Sequence, residues 1–370
     1  MPKQLRICHL TSVHQDGDIR IFHKECVSLS QQGFEVHFIV PNTESRLENG
    51  VHIHGFVGET LNRRVRIRKT VKEVLKVALA IEANLYHLHD PELLQIVSQL
   101  KKTGAKVVFD SHEDVPKQIM DKFWIPFFFR SILSKVYAKY EKRKAKSLDG
   151  IISVTPEICE RFMQFHAQVC LVANYPLRHE FEDCKFNRKK SNHFCYVGGL
   201  YASRGIKEVV LAMEHVDATL HLAGRFDDPL LQKELEGTQG WKKTIYHGQV
   251  DRTAIQNILE QCSVGIVTLH PTPSYLEAYP IKLFEYMAAG CAVLASDFPL
   301  YRSLLGKTEC ARFVDPQSRN EITEALQVFI DNSEQTSSMG VEARKGFEFQ
   351  YNWENEAEKL LLFYRKILKA

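Results

Sequence analysis

Apolar runs of about four to six residues recur along this chain, separated by amphipathic stretches of roughly ten to eighteen. The runs include LRICHL (5–10), EVHFIV (35–40), KVVFD (106–110) and GIISV (150–154), then HFCYVG (193–198), ATLHLAG (218–224), SVGIVTL (263–269) and CAVLAS (291–296). A strand wetted on one face alternates in polarity. An unbroken apolar run indicates a strand covered on both faces, hence a parallel sheet with helices on each side. The spacing predicts a helix over 67–82, with Ile67, Val71, Val74, Leu75, Ala78 and Leu79 on one face. A second helix is expected between Pro280, in its first turn, and Gly290, just past its end.

The pattern occurs twice. The break between the two copies, near 172–192, holds Asn174-Tyr175-Pro176 and the charged, apolar-poor stretch RHEFEDCKFNRKKSN. A chain of 370 residues exceeds one ordinary core and suits two domains. The expectation is an α/β protein of two Rossmann-like domains, 1–175 and 176–370, whose parallel sheets face each other across a cleft. An amphipathic helix over 352–369, with Trp353, Ala357, Leu360, Leu361 and Tyr364 on one face, has no strand after it. It must pack on an existing surface, and a return to the first domain is open to it. The nine cysteines are scattered without a Cys-x-x-Cys pair and read as reduced core thiols. No apolar stretch approaches the length of a membrane span, and MPKQLRICHL lacks the pattern of a signal peptide, which points to the cytoplasm.

The most informative string is Glu277-Ala-Tyr-Pro-Ile-Lys-Leu-Phe-Glu285-Tyr-Met-Ala-Ala-Gly290. One carboxylate precedes a helix and the other lies inside it. The free N–H groups and positive dipole end of that helix suit a diphosphate. Glu285 can accept hydrogen bonds from the hydroxyls of a ribose, and Glu277 from those of a sugar. Lys282 and Leu283 lie in the same first turn. Upstream, Gly198-Gly199-Leu-Tyr-Ala-Ser-Arg204-Gly205 follows a strand and opens a helix, so glycines allow close backbone approach and a cation stands ready for phosphate.

The Glu277–Gly290 string resembles the Glu-x7-Glu signature of retaining glycosyltransferases of family four, in the Pro-x-Lys-Leu-Phe-Glu-Tyr-Met form often linked to bacterial surface polysaccharides. The likeness extends to His9-Leu-Thr-Ser-Val-His14, Asp110-Ser-His112-Glu-Asp114, Asn174-Tyr-Pro, Tyr196-Val-Gly-Gly199, Leu269-His-Pro-Thr-Pro and Tyr351-Asn-Trp-Glu. It implies a GT-B fold, a nucleotide diphosphate sugar such as a UDP- or GDP-sugar as donor, and no cofactor. By the same resemblance Glu277 holds the donor sugar, Glu285 holds the ribose, and His112 at a strand end faces sugar and acceptor. Both strings depart from the family in places. Ala278 and Tyr279 stand where glycines are common, and Gly199 stands where an arginine is usual. Arg204 fits the later basic position, and Arg225 or Lys282 can supply the missing cation. The loop after the first strand, with His14, Asp16, Gly17 and Asp18, is expected on the acceptor side.

His112 has acidic neighbours in Asp110, Glu113 and Asp114, and His87, His89 and Asp90 are also close in sequence. With no His-Glu-x-x-His or Asp-x-Asp string, these read as hydrogen-bonded strand ends, and no metal is expected. Residues 1–175 carry 25 Lys and Arg against 19 Asp and Glu, while the rest carries 23 against 26. A basic first half suggests an anionic partner. Two stretches there suit an anionic membrane surface as well as they suit a solvated face: Arg63-Arg64-Val-Arg66-Ile-Arg68-Lys69, and the aromatics Phe123 to Phe129 followed by Lys135, Lys139, Lys142, Arg143, Lys144 and Lys146. No continuous face interleaves aromatic and basic residues, so nucleic acid is not expected. The expected activity is sugar transfer from a nucleotide donor to a saccharide or lipid-linked acceptor, peripheral to the inner face of the plasma membrane. Two readings compete with it. A sugar-nucleotide epimerase of the same fold would alter a nucleotide sugar without acceptor, and a non-catalytic membrane-surface protein would not need both glutamates.

Overall fold

The computed structural model describes residues 4–369 except 60, 123, 183 and 185–189. Its strands are β1 (Arg6–Leu10), β2 (Glu35–Pro41), β3 (Arg46–Glu48), β4 (Val51–Phe56), β5 (Leu85–Leu88), β6 (Lys106–Ser111), β7 (Gly150–Ser153) and β8 (Val169–Leu171), followed by β9 (Lys190–Val197), β10 (Thr219–Ala223), β11 (Thr244–Gly248), β12 (Cys262–Val267), β13 (Ala292–Ser296) and β14 (Ala311–Val314). The unbroken apolar runs are the central strands. β1, β5, β12 and β13 are buried almost end to end, because helices cover both faces of each sheet.

The chain divides into two units, one of Met1–Asn174 with Trp353–Ala370 and one of Tyr175–Asn352. In the first, the sheet order is β3-β4-β2-β1-β5-β6-β7-β8. Every pairing is parallel except the short β3–β4 edge. Its core joins Leu10, Ile39, Tyr86, Val107, Phe109 and Ile151 to helix residues such as Val74, Ala78 and Leu100. In the second, the all-parallel order is β11-β10-β9-β12-β13-β14. Both orders reverse direction beside the first strand of the unit. Ligands of open α/β sheets bind at the carboxyl ends of the strands near such a point.

The last helix, Trp353–Lys369, belongs to the first unit. Trp353 Nε1 donates to Ser28 Oγ at 2.9 Å, and the Tyr364 hydroxyl bonds His87. A β-carbon on Gly150 would lie 2.7 Å from the Phe363 ring. The buried face of this helix is Trp353, Glu356, Leu360, Phe363, Tyr364 and Ile367, which corrects the expected stripe through Ala357 and Leu361. The helix expected over 67–82 is regular only from Val71 to Ile81, after π-type winding over Arg66–Thr70, and Leu79 lies outside its buried face.

Candidate functional site

At the carboxyl edge of the second sheet, Gly198 and Gly199 follow β9. Gly198 has φ +124° and Gly224, after β10, has φ +149°, both in the region that favours glycine. Their backbones nearly touch, since a β-carbon on Gly224 would sit 1.9 Å from the Gly198 carbonyl oxygen. Beside them opens a cavity of about 500 Å³ lined by Gly198, Gly199, Tyr201, Arg225, Phe226 and Ile255, among others. That size suits a small-molecule ligand.

Two cations flank Gly198. A β-carbon there would lie 3.6 Å from Arg204 Nη1 and 3.7 Å from Lys282 Nζ. Arg204 meets neutral groups: the Gly199 carbonyl at 3.3 Å, the Tyr275 hydroxyl at 3.4 Å and the face of Tyr201. The Lys282 ammonium is buried, lies 3.5 Å from the centre of the Tyr196 ring, and has no hydrogen-bond acceptor among the described residues. Burial first, and repulsion from Arg204 second, push its pKa well below the usual lysine value.

Lys282 is placed by the Ile281–Ala288 helix, whose first residue follows Pro280. The Tyr286 hydroxyl accepts the Val197 N–H at 2.9 Å, which pins this helix under the end of β9. Leu283, expected among the donor-binding positions, is fully buried, and its amide donates to the Pro280 carbonyl at 3.0 Å. It anchors the helix and presents neither side chain nor N–H to a ligand. Glu285 is nearly buried and bonds Arg252 Nη1 at 2.5 Å. Arg252 also holds Glu180 at 2.5 Å. Arg252 escaped the sequence reading. Its one signal is position: it opens the Arg252–Gln261 helix just after β11, capped by Asp251. Glu277 is half-buried at the end of a turn, before the helix that carries Lys282 and Glu285. Arg225 is exposed on the cavity rim.

The first unit gathers a second set at the carboxyl ends of β1, β5 and β6. Buried Arg20 grips Asp110 with two hydrogen bonds of 2.9 and 3.1 Å. Asp110 also takes His112 Nε2 at 2.9 Å. The His112 and His14 rings lie 5.6 Å apart. His14 bonds Asp18 at 3.0 Å and approaches Asp90 at 3.4 Å. Burial alone would lower its pKa, but the Asp18 and Asp90 bonds outweigh that and raise it to about 10, so His14 is a cation at neutral pH.

Two of the expected acceptor-side groups are committed elsewhere. Asp18 caps the Ile19–Cys26 helix through the Ile21 N–H, and Asp16 is tied to Thr43 at 2.5 Å and Arg46 at 2.9 Å. Gly17 has open space around it. Asp114 caps the Val115–Asp121 helix. Among the described residues, two groups combine imidazole and carboxylate closely enough to hold a metal: His9, Glu25, His87 and His89, and His89, Asp110 and His112. They are knit to protein partners already. His9 and His89 share a hydrogen bond of 2.9 Å, Tyr364 bonds His87, and Arg20 holds Asp110. Glu25 belongs to no charged string in the sequence, and His9 stands there only as the start of the His9–His14 string, with no sign of this cluster.

Residues 20–174 match the family model "Glycosyltransferase Family 4" and residues 178–346 match "Glycosyl transferases group 1". A stretch of 97 residues is 27% identical to an MMP alpha-(1->4)-mannosyltransferase of Mycolicibacterium hassiacum and spans 26% of this chain and 24% of that protein. The sucrose-phosphate synthase of Thermosynechococcus elongatus superposes with TM-score 0.75 at 16% identity, over 99% of this chain and 100% of the other. HepE of Anabaena, solved in complex with UDP, gives TM-score 0.72 at 11% identity over 98% and 100%. These structural likenesses show the fold, GT-B.

Proposed function

Taking as premise that the chain is a glycosyltransferase of the family 4 and group 1 kind, we propose that it moves a sugar from a nucleotide diphosphate donor to a saccharide or lipid-linked acceptor with retention of anomeric configuration. One observation carries this reading: Arg204 and Lys282 converge on Gly198 at the mouth of the 500 Å³ cavity, with no carboxylate paired to either among the described residues. Burial and the neighbouring Arg204 disfavour the charged form of Lys282, Glu285 offsets this only in part, and a diphosphate beside both basic groups would favour it. The binding of UDP by HepE, a protein of the same fold, supports a nucleotide donor here.

In this reading the cavity takes the nucleoside, with Glu285 on the ribose and Arg252 holding that carboxylate in place. Glu277 takes hydroxyls of the donor sugar. The bond from the anomeric carbon to the phosphate oxygen breaks as the acceptor oxygen bonds to the same face. The acceptor proton passes to the departing phosphate. Arg204, Lys282 and the N-terminus of the Ile281–Ala288 helix stabilise the charge that develops there, with no metal required. The first unit offers His112, with cationic His14 nearby, to the acceptor. Assembly of a surface polysaccharide at the cytoplasmic face of the membrane is the setting we infer.

The test is calorimetric titration of UDP, GDP and ADP, followed by a transfer assay. Glu285→Ala should weaken nucleotide binding by ~1.5–3 kcal/mol, the range for bonds to a charged group. Glu277→Ala should spare binding and abolish transfer, and transfer should survive excess chelator. Equal loss of nucleotide affinity in both variants would contradict the assignment. Loss of activity to chelator, restored by Mg²⁺ or Mn²⁺, would contradict the metal-free mechanism.

A further inference from the structure

We propose that the Trp124–Lys146 segment is a membrane anchor that inserts a wedge of aromatic side chains and seats a cationic band on anionic lipid headgroups. The inward face of the Phe127–Ala145 helix packs Tyr137 against Val115, Ile119 and Ile125, and Tyr140 and Ala145 on the main core. Polar bonds hold the same face: Ser134 Oγ donates to the Pro116 carbonyl at 2.9 Å, Arg130 to the Ile125 carbonyl at 2.7 Å, and Glu141 pairs with Arg161. Its outward face carries the apolar groups. Trp124, just before the helix, and Phe127, Phe128, Phe129, Ile132 and Val136 are each at least 60% exposed. The sequence left open whether these aromatics belong to the core. Ile125 alone of the group is buried. Phe123 lies outside the described residues. Single exposed apolar residues are ordinary, but a contiguous cluster on one helix marks an interaction surface.

The charge on the same helix identifies the partner. Residues 128, 129, 132 and 136 share a face at helical spacing, and Lys135, Lys139, Arg143 and Lys146 continue it for the next turns. None of these four cations is paired with a carboxylate among the described residues. Val136, Lys139, Tyr140, Lys142, Arg143 and Lys146 line a shallow trough of about 470 Å³, an apolar floor under a cationic rim. Aromatic groups at one end and cations at the other match the depth profile of a bilayer surface, acyl chains below and phosphates above. A protein partner would need an apolar patch beside an acidic one, whereas anionic lipid offers both everywhere.

The other basic stretch contributes less than the sequence suggests. Arg66 is ion-paired with Glu92 inside the unit, which leaves Arg64, Arg68 and Lys69 exposed. No helix among the described residues is long and apolar enough to cross a membrane, so the anchor lies at the interface. This inference does not depend on the donor site, and failure of one leaves the other standing.

The experiment uses the full chain with vesicles of phosphatidylcholine alone and of phosphatidylcholine with roughly a third phosphatidylglycerol, at low and high salt. Binding should favour the anionic vesicles, and high salt should weaken it without abolishing it. Tryptophan emission should shift to the blue on binding. Trp124→Phe should lose that shift, because Trp124 is 64% exposed while Trp353 is 1% exposed and Trp241 packs partly buried against the core of the second unit. Serine at Phe127, Phe128 and Phe129 should remove the salt-resistant part. Glutamate at Lys135, Lys139, Arg143 and Lys146 should lower affinity about tenfold or more. Unfolding midpoints of both variants should match the parent. Unchanged vesicle binding in the serine variant would overturn the proposal. So would a parent dimer by light scattering that the serine variant dissociates, since the face would then join two copies.

Discussion

At the scale of single residues, Lys282 makes the sharpest statement. Its ammonium is buried against Tyr196 beside Arg204, and its pKa is held well below the ordinary 10.5. A diphosphate brought to Gly198 would reverse the balance and favour the charged form. Binding therefore takes up a proton once the pH exceeds the depressed pKa of the free protein. The expectation is that UDP affinity falls as pH rises, beginning well below the midpoint of an ordinary lysine. Lys282→Met should cost about tenfold to a hundredfold in affinity, as for loss of a charge-assisted bond, and should flatten the pH dependence. Titration calorimetry in buffers of different ionisation enthalpy reads both quantities. A methionine variant that keeps the parental pH profile would place the titration on another group.

At the scale of elements, what the sequence disclosed followed burial. Central strands such as β1, β12 and β13 show as apolar runs because both faces are covered. β3, β8 and β14 are three or four residues long and partly exposed, so they leave no run to read. β4 alternates as an edge-side strand does. The glutamate string and the glycine turn were legible because they are local in sequence. Arg252 on Glu285, Arg20 on Asp110 and Tyr364 on His87 join residues distant along the chain, which local patterning does not encode. The meeting of Gly198 and Gly224 is of this second kind and gives its own prediction. Gly224→Ala would drive a β-carbon into the Gly198 carbonyl at 1.9 Å with φ at +149°. It should cost about 1–3 kcal/mol in stability and displace the loop that carries the cations' shared neighbour, weakening UDP binding as well. Gly17→Ala, which meets nothing within 4 Å, should leave the urea midpoint nearly unchanged. Similar midpoints for the two variants would show that the β9 and β10 ends are free to part.

At the scale of the whole molecule, the buried polar centre of the first unit ties stability to pH. Burial holds His9 and His87 well below the usual 6.5 and brings His89 to about 4, so all three are neutral in the folded protein. In the unfolded chain they bind protons below about pH 6.5, and stability must fall as pH drops through that range. Two groups act in the opposite sense. Burial raises the Glu25 carboxyl well above its usual range, and His14 is raised to about 10. Each keeps a proton in the fold that the unfolded chain gives up, Glu25 from about pH 4.5 upward and His14 from about 6.5, so each lowers stability as pH rises. Near pH 5.5 the three histidines, joined by His37, held at about 4, and by the lowered His54, outnumber Glu25; above pH 7 Glu25 and His14 of this centre still differ between the states, and Lys282 of the second unit, lowered by burial, opposes them. The first unit's contribution to stability should therefore peak near pH 6.5, with limbs of the order of 1.4 kcal/mol per pH unit for each net proton. Asp110 and Asp90 lie below the ordinary carboxylate range, so they stay ionised in both states across this window and shape only the more acid region. Glu25→Gln keeps the shape of the side chain and removes its titration. That variant should lose less stability than the parent between about pH 6.5 and 8.5 while retaining the acid limb. Urea midpoints across this range decide the matter: a variant with the parental slope above pH 7 would mean that Glu25 is ionised in the fold, with its charge neutralised by Arg20 at 3.2 Å or by a protonated imidazole.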